Sequence, residues 1–454
     1  MQNAPDSHSL SLPGELRSVA RIFDENGFQL YLVGGAVRNL LRGYYPEDYD
    51  LATDARPEEV MRIFRRVIPT GVQHGTVTVL FKGKQFEVTT FRSESGYSDA
   101  RHPDEVTFGV DIEVDLSRRD FTINGMALEV KTGALLDPFE GRSDLARGLV
   151  RAIGNPRERF DEDALRVLRA IRFATQLGFE IEDATAAALQ GRSAALTTVS
   201  VERTRDELSK IILAARPSYG LRLMREFGLL SAVTPELSRC AGHPVDEAED
   251  ELLEHLLRTC DAVAEAKDAN LDLRFAALLH ELALPECSED QESPGVLAEC
   301  DARSAEKAHD CLKRLRYPNN TLERVAHLVR HHRLQFRPNW SDAAVRRVVA
   351  AAGVEQIYDA IALRRADLRS RGCDERAAEL NSLVARIRAI RERGDPLTLR
   401  ELAVNGNDLA AHGVPRGPQM GRVLEELLQR VLEDPALNSR RQLLELATEL
   451  LNVT

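Results

Sequence analysis

The feature that most constrains this 454-residue chain is a change of pattern near Gly154. Before it, short β-rich runs alternate with helical stretches; after it the β signals stop. "FQLYLVGG" is an apolar run ending in glycines, and "AVRNLLRG" after it has helical spacing. "GTVTVLFKGKQFEVTTF" reads as a hairpin around Gly83, and "TINGMALEVKTGALLD" repeats that pattern with a turn at Thr132 and Gly133. The rest is rich in Ala, Leu, Arg and Glu, with breaks at Pro217, Pro235, Gly242, Pro244, Pro285, Pro318 and Gly353. "SEDQESPG" (residues 288–295) reads as a surface loop, and no internal repeat is evident. The pattern predicts an α+β chain: a small head with a mixed sheet and helices, then a long all-α region. The expected boundaries are a disordered tail over 1–13, the head over 14–150, and helical parts over 151–235, 236–372 and 373–454.

The length suggests two to four domains. No apolar run approaches the ~20 residues that span a bilayer, so no membrane partner is expected. The opening "MQNAPDSHSLSLPG" lacks a basic-then-apolar pattern and reads as a polar tail rather than a signal peptide. Six cysteines (Cys240, Cys260, Cys287, Cys300, Cys311 and Cys373) form no C-x-x-C pair. Neither a zinc site nor a disulfide framework is expected, and a reducing cytoplasm is the natural compartment. The net charge of -12 speaks against non-specific coating of nucleic acid but leaves room for a local basic groove.

In the head, Asp48 and Asp50 flank Tyr49, so on an extended strand both carboxylates face one side. Such a pair can share Mg²⁺, which takes oxygen ligands and leaves positions for phosphate; a solvated acidic strand is the ordinary alternative. Gly34 and Gly35 lie between a strand and a helix, where backbone approaches a ligand closely and helix N–H groups meet anions. Arg38, one turn on, reaches toward the same phosphate. "RRDFTINGMA" adds Arg118, Arg119, Asp120 and Asn124 as phosphate or ribose partners. "DPFEGRSDLARGLVR", with Asp144, reads equally as a contact or as a structural hinge. Glu87 is a candidate third carboxylate, with a strand-edge glutamate the plainer reading.

"RFDEDALRVLRAIRF" reads as a helix. Asp163, Arg166, Arg169 and Arg172 recur every three residues as one stripe, beside an apolar stripe of Leu165, Leu168 and Ile171. Surface ion pairs would account for that spacing, worth a few tenths of a kcal/mol. A sharper reading exists. Adenine and cytosine present an amino donor beside a ring-nitrogen acceptor, and guanine and uracil present the reverse. A carboxylate that only accepts and a guanidinium that only donates match the first pair and reject the second.

Together these segments resemble the bacterial class II tRNA nucleotidyltransferases, the CCA-adding enzymes with their A-adding and CC-adding relatives, and also the bacterial poly(A) polymerases. The resemblance rests on "GGAVRN", "EDYDLAT", "IPTGVQHGTVTV", "FEVTTFR", "RHPDEVTF", "RRDFTINGMA", "DPFEGR", "EDALRVLRAIRF" and "VSVERTRDEL", in order, with "LAVNGNDL" and "GPQMGRVLEEL" near the end. It implies a polymerase-β-like head followed by a helical neck, body and tail, the tail binding tRNA. It implies Asp48 and Asp50 as holders of catalytic Mg²⁺, and Gly35, Arg38 and Arg119 as contacts to the nucleotide's phosphates or sugar. It implies base selection by Asp163 and Arg166, with Arg169 and Arg172 completing the pocket. The implied partners are the tRNA acceptor end and ATP, with CTP as a second nucleotide. An A-only enzyme would need a separate CC-adding enzyme. "RSESGYSDARHPDEVTF" resembles the loop needed for the final A, so CC-only addition is disfavoured while CCA and A-only addition stay open. Candidate basic paths for tRNA are "KRLRYPNN", "RHHRLQFR" and the arginines of residues 364–371.

The chain departs from the family pattern at Asn39, where an aspartate is usual, and at Gly125, where alanine is usual. "LLHELALP" resembles the "LLHDIGKP" of HD-type metal hydrolases, but Glu281 stands in place of the aspartate and "DARSAEKAHD" lacks the histidines that usually follow. His255, His280 and Asp367 make a partial set, which reads as a scaffold because metal sites need all their ligands. A poly(A) polymerase and, more distantly, an HD-type nucleotide phosphohydrolase are the competing functions.

Overall fold

The computed structural model describes residues 12–452 apart from 47, 97–104, 245–250, 267 and 288–293. Most of the expected tail, the centre of the loop resembling the A-addition loop, and most of the "SEDQESPG" loop therefore lie outside the described residues. The chain divides into two compact units, 1–233 and 234–454.

The first unit opens with α1 (Gly14–Glu25), β1 (Leu30–Val33), α2 (Gly35–Leu41), β2 (Asp50–Thr53) and α3 (Pro57–Ile63). Next come β3 (Val67–Gly71), β4 (Thr76–Phe81), β5 (Lys84–Thr90), β6 (Arg92–Ser95), β7 (Glu105–Phe108) and α4 (Ile112–Ser117). β8 (Ala127–Glu129), β9 (Leu135–Leu136), α5 (Gly141–Arg147) and β10 (Leu149–Val150) complete the strand-rich part. The main sheet has the order β3-β4-β5-β2-β1-β8-β9 and is mixed, β2 and β5 running parallel and the other pairs antiparallel. Both expected hairpins form. The first turns at Lys82 and Gly83, both at positive φ (47° and 78°), as the tight primed turns joining two strands require.

Strand alternation sets the two faces of this sheet. Leu30, Leu32, Tyr49, Leu51, Phe86, Val88 and Leu128 point to one face, where they pack with the Leu16, Val19, Ala20 and Phe23 stripe of α1. Val33, Ala52 and Ala127 point to the other and meet Ile112 and Leu116 of α4. Asp48 and Asp50 share the parity of Ala52, and Glu87 has the parity opposite to Phe86 and Val88. All three carboxylates therefore belong to the α4 face. Leu12, expected in the polar tail, is buried in the α1 core.

After β10 the unit continues through α6 (Pro156–Glu162), α7 (Leu165–Leu177), β11 (Glu180–Ile181), α8 (Asp183–Leu189), α9 (Val201–Ile212), α10 (Pro217–Glu226) and α11 (Leu230–Val233). The expected end of strand structure at Gly154 has one exception: β11 pairs in parallel with β10 over two residues.

Among its described residues the second unit has helices and one isolated bridge, Pro244 with Glu251. It comprises α12 (Pro235–Ser238), α13 (Leu252–Ala264), α14 (Leu271–Leu279), α15 (Pro294–Arg314), α16 (Asn319–Arg330) and α17 (Asp342–Ala352), then α18 (Ile357–Ser370), α19 (Asp374–Arg393), α20 (Gly406–Ala411), α21 (Pro418–Glu433) and α22 (Arg440–Asn452). Buried Arg346 on α17 donates to the Leu432 and Glu433 carbonyls at the end of α21 and to Asp395. A cation there satisfies carbonyls that the helix leaves open. Cys287 and Cys300 form a disulfide, contrary to the expectation of none. Sequence spacing says nothing of how close two Cα atoms come in the fold, and the pair has no motif to mark it. No helix among the described residues is long and apolar enough to cross a membrane.

"DPFEGR" proves to be a brace. Asp137 accepts the Gly141 and Arg142 N–H groups that open α5, while buried Asp144 accepts from Thr122 Oγ1 (2.6 Å) and Arg151 Nε (2.7 Å). A Cβ at Gly141 would overlap the backbone carbonyl of Thr122. Gly141→Ala should therefore cost about 1–3 kcal/mol, lowering Tm by roughly 2–10 °C. Gly14→Ala, where nothing lies within 4 Å, should leave Tm nearly unchanged; thermal unfolding of both variants checks the contrast.

Candidate active site

Asp48 lies two residues before Asp50, which opens β2, both exposed on the α4 face, with Tyr49 turned into the core. β2 pairs in parallel with β5 so that Asp50 stands beside Glu87. β5 lies inside the sheet, between β4 and β2. The plainer reading of Glu87 as a strand-edge residue is therefore corrected: it is the third member of a carboxylate group. Partial burial raises the Asp50 carboxyl, with Arg119 opposing and Asp48 adding to the rise; burial, Asp50 and Asp48 likewise raise Glu87. A group of three carboxylates in which Asp50 and Glu87 are held back from ionising fits a divalent cation, whose oxygen ligands they would be.

Gly34, at φ 66°, turns the chain from β1 into α2. A side chain there would press on Arg119 Nη1 at 3.3 Å and lie 3.9 Å from Asp50 Oδ2. Glycine thus lets the guanidinium pass close to the backbone beside the carboxylate. Arg119 is held from behind by Asp115 on α4 (3.1 Å), which also takes Arg118 (2.7 Å). Asp115 is almost wholly buried; burial would raise its carboxyl, but Arg118 and Arg119 hold it below the ordinary range.

Arg38, on α2 one turn after Gly35, donates to Asn124 Oδ1 (2.6 Å) and lies over the Phe173 ring at 5.2 Å. Burial, with Arg172, Arg42 and Arg169 nearby and Asp120 opposing, lowers it to about 10. It stays charged at neutral pH. Asn39, the departure in this motif, accepts from the Arg38 guanidinium (3.2 and 3.4 Å). Asn124 donates in turn to buried Asp120, which also receives the Phe121 N–H and Arg169 Nε and Nη2.

The expected single helix over "RFDEDALRVLRAIRF" is broken. α6 ends at Glu162 and α7 starts at Leu165, leaving Asp163 extended at φ -145°, ψ 105°. The Asp163 side chain accepts the Leu165 N–H (3.0 Å), the local bond by which aspartate competes with helix continuation. Freed from the stripe, Asp163 receives both terminal nitrogens of Arg203 on α9 (2.6 and 3.3 Å). Arg166 is buried and bonded to Glu162 Oε2, Arg159 O and Arg118 O; Arg172 pairs with buried Glu207 (2.9 Å) and lies over Phe173 at 4.1 Å.

Gly35, Arg38, Asp48, Asp50, Arg119, Asp163, Arg166, Arg169 and Arg172, all singled out for nucleotide or metal binding, line one cleft of about 890 Å³ in the first unit; Glu87 is not among its lining residues. The cleft also contains Phe173, Gln176, Arg203 and Lys210, which sequence reasoning passed over. Arg203 sits in "VSVERTRDEL", so a motif marked the segment without marking the residue. Asp144 lies outside the lining.

Three family models match in order: the poly A polymerase head domain over 30–151, the RNA and SrmB-binding site of polymerase A over 178–240, and tRNA nucleotidyltransferase domain 2 over 296–447. A CCA-adding enzyme of Limosilactobacillus fermentum is 34% identical over 97% of this chain and 98% of its own. The chain belongs to the CCA-adding enzyme family of tRNA nucleotidyltransferases. A CCA-adding enzyme of Enterococcus faecalis is likewise 34% identical, over 96% and 97% of the two chains. The crystal structure of the Bacillus stearothermophilus CCA-adding enzyme in complex with CTP superposes with a TM-score of 0.73 at 29% identity, covering 97% of each chain. As a member of this nucleotidyltransferase family, the chain uses a divalent metal.

The Asp120–Arg169 pair generates a pH prediction. Burial alone would raise the Asp120 carboxyl, but Arg169 and the Asn124 and Phe121 hydrogen bonds hold it at about 2. A depressed folded value stabilises above the unfolded value of ~3.9 and is lost as pH falls through the folded one. Asp120→Asn should be less stable than wild type at pH 7 by about 2 kcal/mol. The gap should close between about pH 4 and pH 2; denaturant unfolding across that range checks it.

Proposed function

We propose that this chain completes tRNA 3′ ends, adding CCA from CTP and ATP with release of pyrophosphate. The observation that carries the reading is the meeting, in one cleft, of the Asp48–Asp50 carboxylates with the Asp163–Arg166 pair. That its full-length relatives are named CCA-adding enzymes favours CCA over A-only addition.

Asp48 and Asp50, with Glu87 beside them, would hold Mg²⁺, whose chemistry is to neutralise the triphosphate and promote ionisation of the attacking hydroxyl. Arg38, Arg119, Arg169 and Arg172 bind and orient the triphosphate and sugar, and the backbone at Gly35 admits phosphate closely. The tRNA 3′-oxygen bonds to the α-phosphorus in line as the bond to the bridging oxygen breaks. Because Arg119, Arg169 and Arg172 are fixed by carboxylates behind them and Arg38 by Asn124, little reorganisation accompanies the charge shift.

Base choice rests on what Asp163 and Arg166 have left to offer. Each Asp163 oxygen accepts two bonds and Arg166 carries five N–H groups. After Arg203, Leu165 N, Glu162 and the two backbone carbonyls are served, acceptor capacity remains on Asp163 and donor capacity on Arg166. Arg203 keeps the carboxylate in place. An amino donor beside a ring-nitrogen acceptor, as on cytosine and adenine, fits this pair; guanine and uracil do not.

We assign the head to residues 14–150, the neck to 151–235, the body to 236–372 and the tRNA-binding tail to 373–454. In the body, Arg333, Arg364 and Arg371 are paired with Glu281, Asp301 and Asp367. Exposed Lys313, Arg316, Arg330, Arg337 and Arg369 suit a phosphate path better. A tRNA substrate supports a cytoplasmic location.

Purified protein with Mg²⁺, CTP and ATP should complete tRNAs ending before C74, after C74 and after C75. Extension of only the last, by one A, would make it an A-adding enzyme dependent on a CC-adding partner, and long A-tails on any RNA a poly(A) polymerase. Asp163→Ala should lower the preference for CTP and ATP over GTP and UTP by at least tenfold in single-turnover incorporation, while tRNA affinity changes less than threefold. An unchanged preference would overturn the template role.

A further inference from the structure

In the second unit, at a site apart from the nucleotide cleft, side chains from separate helices converge in the interior. His255 comes from α13, His280 and Glu281 follow α14 directly, Asp367 comes from α18, and His332 follows α16. Each is at most 2% exposed. The partial set read from sequence is thus fuller than the motif suggested. His332 was credited to a basic segment, and only the fold brings it here.

The hydrogen bonding at the back of each ring determines what its front presents. His280 Nδ1 lies 2.8 Å from the Ala277 carbonyl and His332 Nδ1 lies 2.7 Å from the Val329 carbonyl. A carbonyl only accepts, so both Nδ1 atoms carry hydrogen and both Nε2 atoms present lone pairs. His255 Nδ1 lies 3.0 Å from Ser370 Oγ, whose one hydrogen goes to the Asp367 carbonyl (2.8 Å), so Oγ accepts from Nδ1 and the His255 Nε2 also presents a lone pair. His332 Nε2 is buried without a hydrogen-bond partner. The His255 and His280 Nε2 atoms stand 3.4 Å apart, two lone pairs facing each other.

The carboxylates join them on one side. Asp367 Oδ1 is 3.2 Å from His255 Nε2 and 3.7 Å from His280 Nε2. Glu281 Oε2 is 3.7 Å and 4.0 Å from the same atoms. Ligands placed ~2.1 Å from one ion are separated by about 3.0–4.2 Å from one another. All five separations fall in that interval. Arg371, Arg333 and Arg364 bind the carboxylates. Asp367 Oδ1 and Glu281 Oε2, the oxygens facing the rings, each accept from Arg371 Nε or Nη2 and have room for a second bond. The Nε2 lone pairs are suited to a proton or a metal ion.

We propose that His255, His280, Glu281 and Asp367, with His332 adjoining, form a closed site for one divalent transition-metal ion that cross-links α13, α14 and α18. Imidazole donors favour zinc, iron, cobalt or nickel over magnesium or manganese. The ligands' burial and the surrounding arginines make the site structural rather than catalytic. Glu281, one methylene longer than the aspartate of the related motif, reaches the ring nitrogens while two arginines hold its other oxygen. Ions bound there stabilise the folded chain by mass action.

The test uses the full chain carrying Asp48→Ala and Asp50→Ala, so that the cleft carboxylates contribute no ligand. After chelator stripping and dialysis against each metal in turn, elemental analysis should find one equivalent of zinc, cobalt, iron or nickel. Tm should rise by at least 5 °C over the stripped protein, and the cobalt form should show visible d–d absorption. Adding His255→Gln and His280→Gln should abolish retention, absorption and the Tm rise. The same His variants, with Asp48 and Asp50 intact, should add nucleotides at the wild-type rate. No retained metal and no Tm change in the parent would overturn the proposal and leave ring protons as the bridge, as would equal retention in the His variants. Should the His variants fail to fold, the parent's cobalt spectrum decides: absence of imidazole-type absorption overturns the site.

Discussion

Burying guanidinium groups is costly unless each meets an acceptor, and the cleft of the first unit is built around that constraint. Arg119 has Asp115 behind it, Arg169 has Asp120, Arg172 has Glu207, and Arg166 has Glu162. The acceptors come from α4, the segment after it, α9 and α6. In the proposed function a nucleotide would meet cations whose directions were decided by folding. Asp120 is central, since it holds Arg169 directly and Arg38 through Asn124. Removing any one carboxylate would leave a buried cation to seek another partner, and the nearest acceptors are those that define the site.

The same rule organises the second unit with a different result. There Arg333, Arg364 and Arg371 crowd the carboxylates of Glu281, Asp301 and Asp367, so these arginines are engaged with acidic partners. The histidines beside them present Nε2 lone pairs. The two clusters thus differ in what they lack. The cleft has surplus donors for phosphate and base edges, and the second unit has surplus acceptors suited to a cation.

Much of the candidate site was legible because it is local. Gly34 and Gly35 at a strand-to-helix turn, Asp48 and Asp50 at a spacing of two, and the arginines of α7 at a spacing of three each announce a geometry within a few residues. What misled was also local. Helical spacing carried Asp163 into α7, but its own carboxylate capped Leu165 N and broke the helix, which is what frees it to face the cleft. Glu87 was set aside because nothing in the sequence reveals which strand lies next to β2. Asp115, Glu207 and Arg203 act from behind, and a supporting partner has no required spacing from the residue it supports.

Sequence by itself determined the mixed head and helical remainder, since periods of 2 and 3.6 are written in consecutive residues. It also determined the face on which Asp48 and Asp50 sit, because alternation with Tyr49 and Leu51 leaves no other choice. Tertiary structure alone decided that Glu87 stands beside Asp50, that Arg203 clamps Asp163, that Cys287 meets Cys300, and that His332 joins His255 and His280. These contacts join residues far apart in the chain or unmarked by any motif. Their formation depends on the packing of whole elements, where many weak apolar contacts set positions that no single stretch encodes.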